Sequence, residues 1–240
     1  ARGCTGITLK AENGDICYGR TLEWEAFDLQ SRLIFYPRNY RYSASLPRKR
    51  VGMSWIGKYG IAGIDLLEKG YIADGMNEAG LVGGLFYHPG CAEYAPLSSH
   101  DINISMAPTD VMQYLLSTCR NIEEVRLALS KIKGVQVIEE ALGFPAPIHL
   151  MLTDASGKQI VVEWKEGQMR IFNAPFGVIT NAPEYDWHMT NLRNYIKITP
   201  QAASPLNLNS VVLSPLGTGS GMLGMPGDFT PPSRFVRAVQ

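Results

Sequence analysis

Three strand-like runs in close succession, Ile148 to Thr153, Gln159 to Trp164 and Met169 to Phe172, constrain most what this chain can fold into. Short gaps with turns at Asp154-Ala155-Ser156-Gly157 and Glu166-Gly167 separate them, turn chemistry supplied by Asp, Ser and Gly. Gaps that short admit hairpins and leave no room for the crossover that parallel neighbours require. An antiparallel meander is expected here.

The same pattern appears upstream. Cys4-Thr5-Gly6-Ile7-Thr8-Leu9-Lys10 alternates apolar and polar residues, Asn13-Gly14 offers a hairpin turn, and Ile16 to Leu22 returns. Arg32 to Tyr36, Val51 to Ile56 and Leu81 to Tyr87 also read as strands. A helical block follows: Pro108 suits a first turn, Val111, Tyr114, Leu115 and Thr118 share a face, and Asn121 with Glu124 resembles a capping box for Val125 to Ile132. Strands, two helices, then more strands imply an α+β domain with mainly antiparallel pairing. The Gly-, Pro- and Ser-rich stretch from Pro205 to Pro232 is expected to be a long irregular segment, a kind of loop usually kept for function.

Composition excludes several classes of partner. At 240 residues and 45% hydrophobic, the chain can bury one large core. Its 22 basic and 22 acidic residues cancel, so it carries no electrostatic footprint for nucleic acid or a charged membrane surface. No apolar run reaches the roughly 18 residues of a spanning helix. A small, roughly neutral substrate is the expectation.

Motif spacing excludes more. Cys4, Cys17, Cys91 and Cys119 contain no C-x-x-C pair, so neither a zinc site nor a disulfide framework is implied. Cys17 and Cys119 read as small buried hydrophobes in a strand and a helix, and Cys91 falls in a loop. His88, His100, His149 and His188 are scattered, which leaves a Cys-His pair open; for His149 and His188, packing is expected rather than metal ligation. Gly219-Ser220-Gly221-Met222-Leu223-Gly224 fits G-x-G-x-x-G, yet Pro226 and Gly227 stand where a helix should open, so dinucleotide binding is rejected.

Cys4 is the chemically suggestive residue, because a structural thiol is rarely placed at the start of a chain. With its α-amino group free, reference pKa about 7.7–8.0, it can pass its own thiol proton, reference pKa about 8.5, to its own nitrogen. While Gly3 is attached that nitrogen is an amide and accepts no proton. Ala1-Arg2-Gly3 has the small-x-small pattern found at the end of a signal peptide, which points to export. Residues 1–3 are thus expected to be the remnant of a pro-segment or signal peptide, and residues 4–240 a single domain.

Five segments carry a resemblance. Cys4-Thr5-Gly6-Ile7, Tyr18-Gly19-Arg20-Thr21-Leu22-Glu23-Trp24, Ala73-Asp74-Gly75-Met76-Asn77-Glu78-Ala79-Gly80-Leu81, Gly177-Val178-Ile179-Thr180-Asn181-Ala182-Pro183 with Asp186-Trp187-His188, and Gly224-Met225-Pro226-Gly227-Asp228-Phe229-Thr230 with Ser233-Arg234-Phe235 resemble the choloylglycine hydrolases, that is, bile salt hydrolases and penicillin V acylases. The resemblance implies the N-terminal nucleophile hydrolase fold: four layers, αββα, with two antiparallel sheets face to face and helices outside. It implies cleavage of a linear carboxamide C–N bond by a processed cysteine, with a conjugated bile salt or a penicillin V-like N-acyl amide as substrate and no cofactor or metal.

It also implies residue roles. Cys4 is the nucleophile, Arg20 favours its thiolate, and Glu23, where the family usually has aspartate, orients the α-amine. Asn181 aims its side-chain amide at the oxyanion together with the backbone N–H of Tyr87, and Arg234 braces the network. Tyr87 stands where bile salt hydrolases commonly carry asparagine and penicillin V acylases tyrosine. A homo-oligomer, dimer or tetramer, is implied as well, and so is a further C-terminal part beyond Gln240; the pattern before Cys4 points to a bacterial periplasm or to secretion. The competing reading is a non-catalytic ligand-binding homologue that retains Ala1-Arg2-Gly3.

Overall fold

Alternate residues of a strand face opposite sides, and in this chain the alternation divides the interior into two cores. In the computed structural model, which describes residues 2–240, Leu150 and Leu152 join one buried cluster and Met151 the other. Leu85 and Phe86 part in the same way, and so do Ile160 and Val162 from Val161. Ala1, the first residue of the expected pro-segment, lies outside the described residues.

The first half is made of strands: β1 (Arg2–Lys10), β2 (Ile16–Trp24), β3 (Arg32–Tyr36), β4 (Arg41–Leu46), β5 (Arg50–Ile56), β6 (Ile61–Asp65), β7 (Ile72–Asn77) and β8 (Val82–Tyr87). The short β9 (Ser105–Met106) leads into helices α1 (Pro108–Thr118) and α2 (Ile122–Leu129), and the short β10 (Lys133–Gly134), β11 (Ile138–Glu139) and β12 (Phe144–Pro145) follow. The meander is β13 (Ile148–Thr153), β14 (Gln159–Lys165) and β15 (Gln168–Asn173). After β16 (Val178–Ile179) come α3 (Tyr185–Asn191), β17 (Leu206–Leu208), β18 (Val211–Leu213) and α4 (Pro231–Val239).

The larger sheet has seven strands in the order β15-β14-β13-β8-β7-β6-β3, every pair antiparallel. A three-stranded sheet, β16-β1-β2, faces it. On β1, Gly6 abuts Phe86, and Thr8 Oγ1 lies 3.1 Å from Thr153 Oγ1, so these residues look toward the larger sheet. Thr5 looks the other way, where its hydroxyl accepts from Arg234 of α4 at 2.6 Å. Val111, Leu115, Val125 and Leu129 of α1 and α2 pack into the core on the far side of the larger sheet. The layers therefore run helix, sheet, sheet, helix, as expected.

Some local expectations need correction. Cys17 is exposed on β2 rather than buried, because that edge of the small sheet faces solvent. The second helix begins at Ile122, immediately after its cap: the Asn121 side chain accepts from the Glu124 N–H at 2.9 Å, which makes Ile122 the first helical residue. The stretch from Pro205 to Pro232 is not wholly irregular, since it holds the β17–β18 hairpin and the start of α4. β6 and β7 have no counterpart in the expected strands. Their Ala, Gly and Asp residues have low strand propensity, and pairing inside the large sheet overrides it.

Candidate active site

Strand register brings the distant segments together. β1 pairs antiparallel with β16 through Gly6↔Ile179 and Ile7↔Val178. Continuing that register sets Asn181 opposite Cys4, and the Cys4 N–H donates to Asn181 Oδ1 at 2.9 Å. On its other side β1 pairs with β2, placing Arg20 opposite Gly6 and Glu23 opposite Gly3. Gly6 permits this packing: a Cβ there would collide with the Phe86 ring.

Arg234 enters from the first turn of α4. Pro231 and Pro232 fit a helix start, and the preceding bend is fixed by Asp228, whose carboxylate accepts from the hydroxyls of Thr230 at 2.5 Å and Ser233 at 2.6 Å. Those bonds hold the Asp228 carboxyl down at about 2. The Arg234 guanidinium then reaches back into the site. It donates to the Cys4 carbonyl at 2.5 Å, to Thr5 Oγ1 at 2.6 Å and to Asn181 Oδ1 at 2.7 Å. Burial lowers its pKa, while the charges of Glu23 and Cys4 work in the opposite direction.

Asn181 is therefore fixed at both ends of its amide. Its oxygen accepts from Cys4 and Arg234, and its nitrogen donates to the Tyr87 carbonyl at 2.6 Å. An amide nitrogen has two protons, so one donor remains for another acceptor. Gly3, Glu23 and Arg234 crowd together: a Cβ on Gly3 would lie 3.1 Å from Glu23 Oε2 and 3.3 Å from Arg234 Nη2.

Arg20 occupies the opposite side of Cys4. Its Nη1 donates to Asp74 at 2.8 Å and to the Leu85 carbonyl at 2.6 Å, and its guanidinium lies 4.2 Å from the centre of the Phe86 ring. Nη2 is buried and meets no hydrogen-bond partner among the described residues. Burial opposes the Arg20 charge, but Asp74 and Cys4 raise its pKa. Burial also pushes the Asp74 carboxyl up to about 6, against the pull of Arg20 and of the Tyr18 hydroxyl that donates to it at 2.9 Å.

The other thiols lack such surroundings. Burial pushes Cys91 up to about 11 and raises Cys119 as well. Cys4 faces two guanidinium groups and lines an apolar cleft with Leu22, Trp24, Phe27, Tyr87 and Ile148.

Comparison with known proteins decides the family. The sequence profile described as linear amide C-N hydrolases, choloylglycine hydrolase family, matches residues 4–240. The chain belongs to the choloylglycine hydrolase family. It is 32% identical over 248 residues to a bile salt hydrolase/transferase of Clostridium perfringens, covering 98% of this chain and 70% of that protein. A penicillin V acylase of Pectobacterium atrosepticum is 26% identical over 178 residues, covering 71% of this chain and 46% of that one. Among solved structures, a variant of the conjugated bile acid hydrolase from Clostridium perfringens superposes with a TM-score of 0.83 at 30% identity, over 98% of this chain and 70% of the other. The protein is an amidase that hydrolyses linear amide C–N bonds with the fold of N-terminal nucleophile hydrolases.

For a choloylglycine hydrolase, every residue expected from sequence lies in this neighbourhood: Cys4, Asn181 and Arg234 in one hydrogen-bonded set, Glu23 beside Arg234, and Arg20 and Tyr87 along the cleft. The non-catalytic alternative finds no support in this arrangement. Tyr87 meets Trp24 edge-on at 5.2 Å, and Trp24 meets Phe27 at 5.5 Å, forming an aromatic wall.

Sequence reading missed Asp74 and Tyr18, although both lie inside recognised segments. The signal was a glycine. A Cβ on Gly84 would be driven into Asp74 Oδ1 and Tyr18 Oη, so the pair can form only over a residue without a side chain.

Proposed function

We propose that this choloylglycine hydrolase acts through Cys4 as an N-terminal nucleophile, after removal of residues 1–3, on an N-acyl amide with a flat or polycyclic apolar acyl group. One observation carries the reading: the Cys4 nitrogen is held 2.9 Å from Asn181 Oδ1 while its thiol faces the apolar cleft. Once Gly3 is cleaved off, the same nitrogen becomes an amine anchored at that oxygen, beside Glu23.

In this mechanism the α-amine of Cys4 takes the proton of its own thiol, and the sulfur, with Arg20 and Arg234 beside it, attacks the substrate carbonyl carbon. The second amide N–H of Asn181 and the backbone N–H of Tyr87 hold the oxyanion that forms. The C–N bond breaks as the α-ammonium of Cys4 gives its proton to the leaving amine. Water then adds to the thioester with the α-amine as base, releasing the carboxylic acid and the free thiol.

The aromatic wall of Trp24, Phe27 and Tyr87 supports a phenoxyacetyl-like or steroidal acyl group, matching the substrate classes named for the relatives. Penicillin V and glycine- or taurine-conjugated bile salts are the substrates to assay, on protein whose intact mass begins at Cys4. Turnover of either class, abolished in Cys4→Ser, is the expected result; an untrimmed, unlabelled Cys4 with full turnover defeats the reading.

Export to the periplasm or medium belongs to the same proposal and rests on the small-x-small pattern before Cys4, while removal of residues 1–3 by the enzyme itself rests on the Cys4 thiol adjoining the Gly3–Cys4 bond. A homo-oligomer, dimer or tetramer, is supported by the β17–β18 hairpin, whose Leu206, Leu208, Val211, Val212 and Leu213 are all exposed. Sedimentation of the purified protein tests that assembly.

A further inference from the structure

Beneath the segment that carries Asn181 lies a buried cluster of His88, His149, His188 and Glu163 that the hydrolytic steps do not use. Its members bond to one short stretch of backbone. His149 Nε2 lies 3.1 Å from the Thr180 carbonyl, His188 Nε2 3.0 Å from that of Asn181, and His88 Nε2 3.3 Å from that of Pro183. Glu163 accepts the Tyr185 N–H with both oxygens, at 3.0 and 3.2 Å. The backbone on both sides of the Asn181 side chain is thus tied to groups anchored in the larger sheet and α3.

His149 imposes a proton count. Its Nε2 faces a carbonyl, which can only accept, and its Nδ1 lies 3.0 Å from Glu163 Oε1. A neutral imidazole carries a single N–H, so an ionised Glu163 and a neutral ring cannot make both bonds. Both bonds are made only if a further proton lies between Nδ1 and Oε1. Burial raises Glu163 and depresses His149, which places that proton on the carboxyl side. Titratable and charged neighbours of the cluster include His88, His188, Glu184, Asp186, Arg20, Cys91, Tyr185 and Arg234.

A metal ion is the other occupant these residues suggest, since the ligand atoms of His88, His149 and Glu163 lie within 4.8 Å of one another. The ring geometry opposes it. The two imidazoles stack at 4.1 Å with their planes 3° apart, so their in-plane lone pairs run side by side instead of converging on one point. Both nitrogens of His149 are also occupied.

We propose that Glu163 and His149 share one buried proton and, with His188 and His88, are positioning residues that hold Asn181 against Cys4. The proposal rests on the role assigned above to Asn181, so its first readout is independent of turnover. In protein carrying 15N-labelled histidine, with His149 assigned through His149→Gln, Nε2 should be protonated and a slowly exchanging downfield proton should bridge Nδ1. An unprotonated Nε2, or stoichiometric bound metal in the purified protein, overturns it.

The second readout is kinetic. Glu163→Ala should lower kcat roughly 100-fold with KM within about threefold, the cost of a misplaced catalytic group. Glu163→Gln, whose amide can donate to Nδ1 without a dissociable proton, should recover at least about tenfold of that loss. Equal loss in both variants, or kcat and KM moving together, counts against positioning. Failure of Cys4 labelling or of Cys4→Ser inactivation would instead strike the nucleophile assignment and leave the imidazole spectrum as it is.

Discussion

The side-chain oxygen of Asn181 accepts the backbone N–H of Cys4 at 2.9 Å across 177 positions of sequence. That contact joins the two halves of the chemistry: the nitrogen proposed as the proton acceptor and the amide proposed to meet the oxyanion are fixed to each other. Arg234, donating to the same oxygen at 2.7 Å, keeps the amide from turning over.

Asn181→Ala removes that oxyanion donor and leaves both Cys4 N and Arg234 without their acceptor. In the Cys4-initial enzyme kcat should drop roughly 100- to 1,000-fold, about 3–4 kcal/mol of barrier, with a much smaller change in KM. Steady-state kinetics on the preferred substrate checks the split.

Gly84→Ala tests the platform under Arg20. The added methyl would be forced into Asp74 Oδ1 and Tyr18 Oη, so the pair must separate. A destabilisation of about 1–3 kcal/mol, read from denaturant midpoints, is expected, with loss of activity exceeding what the stability change explains.

Asp74 gives stability a pH dependence of defined sign. Its folded pKa is raised from 3.8 to about 6, so between those values the folded state binds more protons than the unfolded state. Stability from this group is therefore present at low pH and is lost as pH rises through about 6, by about 3 kcal/mol in all. Asp74→Asn should remove that decline when unfolding free energies of the two proteins are compared across the interval.

Tyr87 separates side-chain from backbone roles. Tyr87→Ala keeps the backbone N–H and the carbonyl that Asn181 uses, but it strips the ring that meets Trp24 at 5.2 Å. KM for an aryl-acyl substrate should rise roughly 3- to 10-fold, the worth of about 0.5–1.5 kcal/mol of aromatic contact, while kcat falls less. A collapse of kcat with unchanged KM contradicts the division of roles.

Much of the site was legible because its residues sit in segments that resemble the family, and one of those segments also carries a strong local signal. The Asn13-Gly14 turn pins the β1–β2 hairpin, and that register alone sets Glu23 across from Gly3 and Arg20 across from Gly6. Arg234 was legible only through the resemblance of its segment; the paired prolines and Asp228, which fix the start of α4, are what place it in the structure. Asp74 was not: it lies in a strand of poor propensity, and its partners Tyr18 and Arg20 come from the other sheet. His149 and His188 read as packing groups. Neither His149 nor His188 shows by its neighbours in sequence that it bonds the backbone at residues 180 and 181.

Turn chemistry and strand alternation, which act between near neighbours, settled from sequence alone that this chain forms antiparallel hairpins, a meander and a helical pair. The resemblance of five segments to the choloylglycine hydrolases implied which kind of bond it cleaves. Tertiary structure decided the rest: pairing of β1 with β16 set Asn181 against Cys4, stacking of the two sheets set Asp74 beneath Arg20, and burial of the β13–β14 pair joined Glu163 to His149. The first two contacts depend on register and packing between strands distant in the chain, and the third on burial that takes water away from the carboxyl group and the ring, none of which near neighbours in sequence can fix.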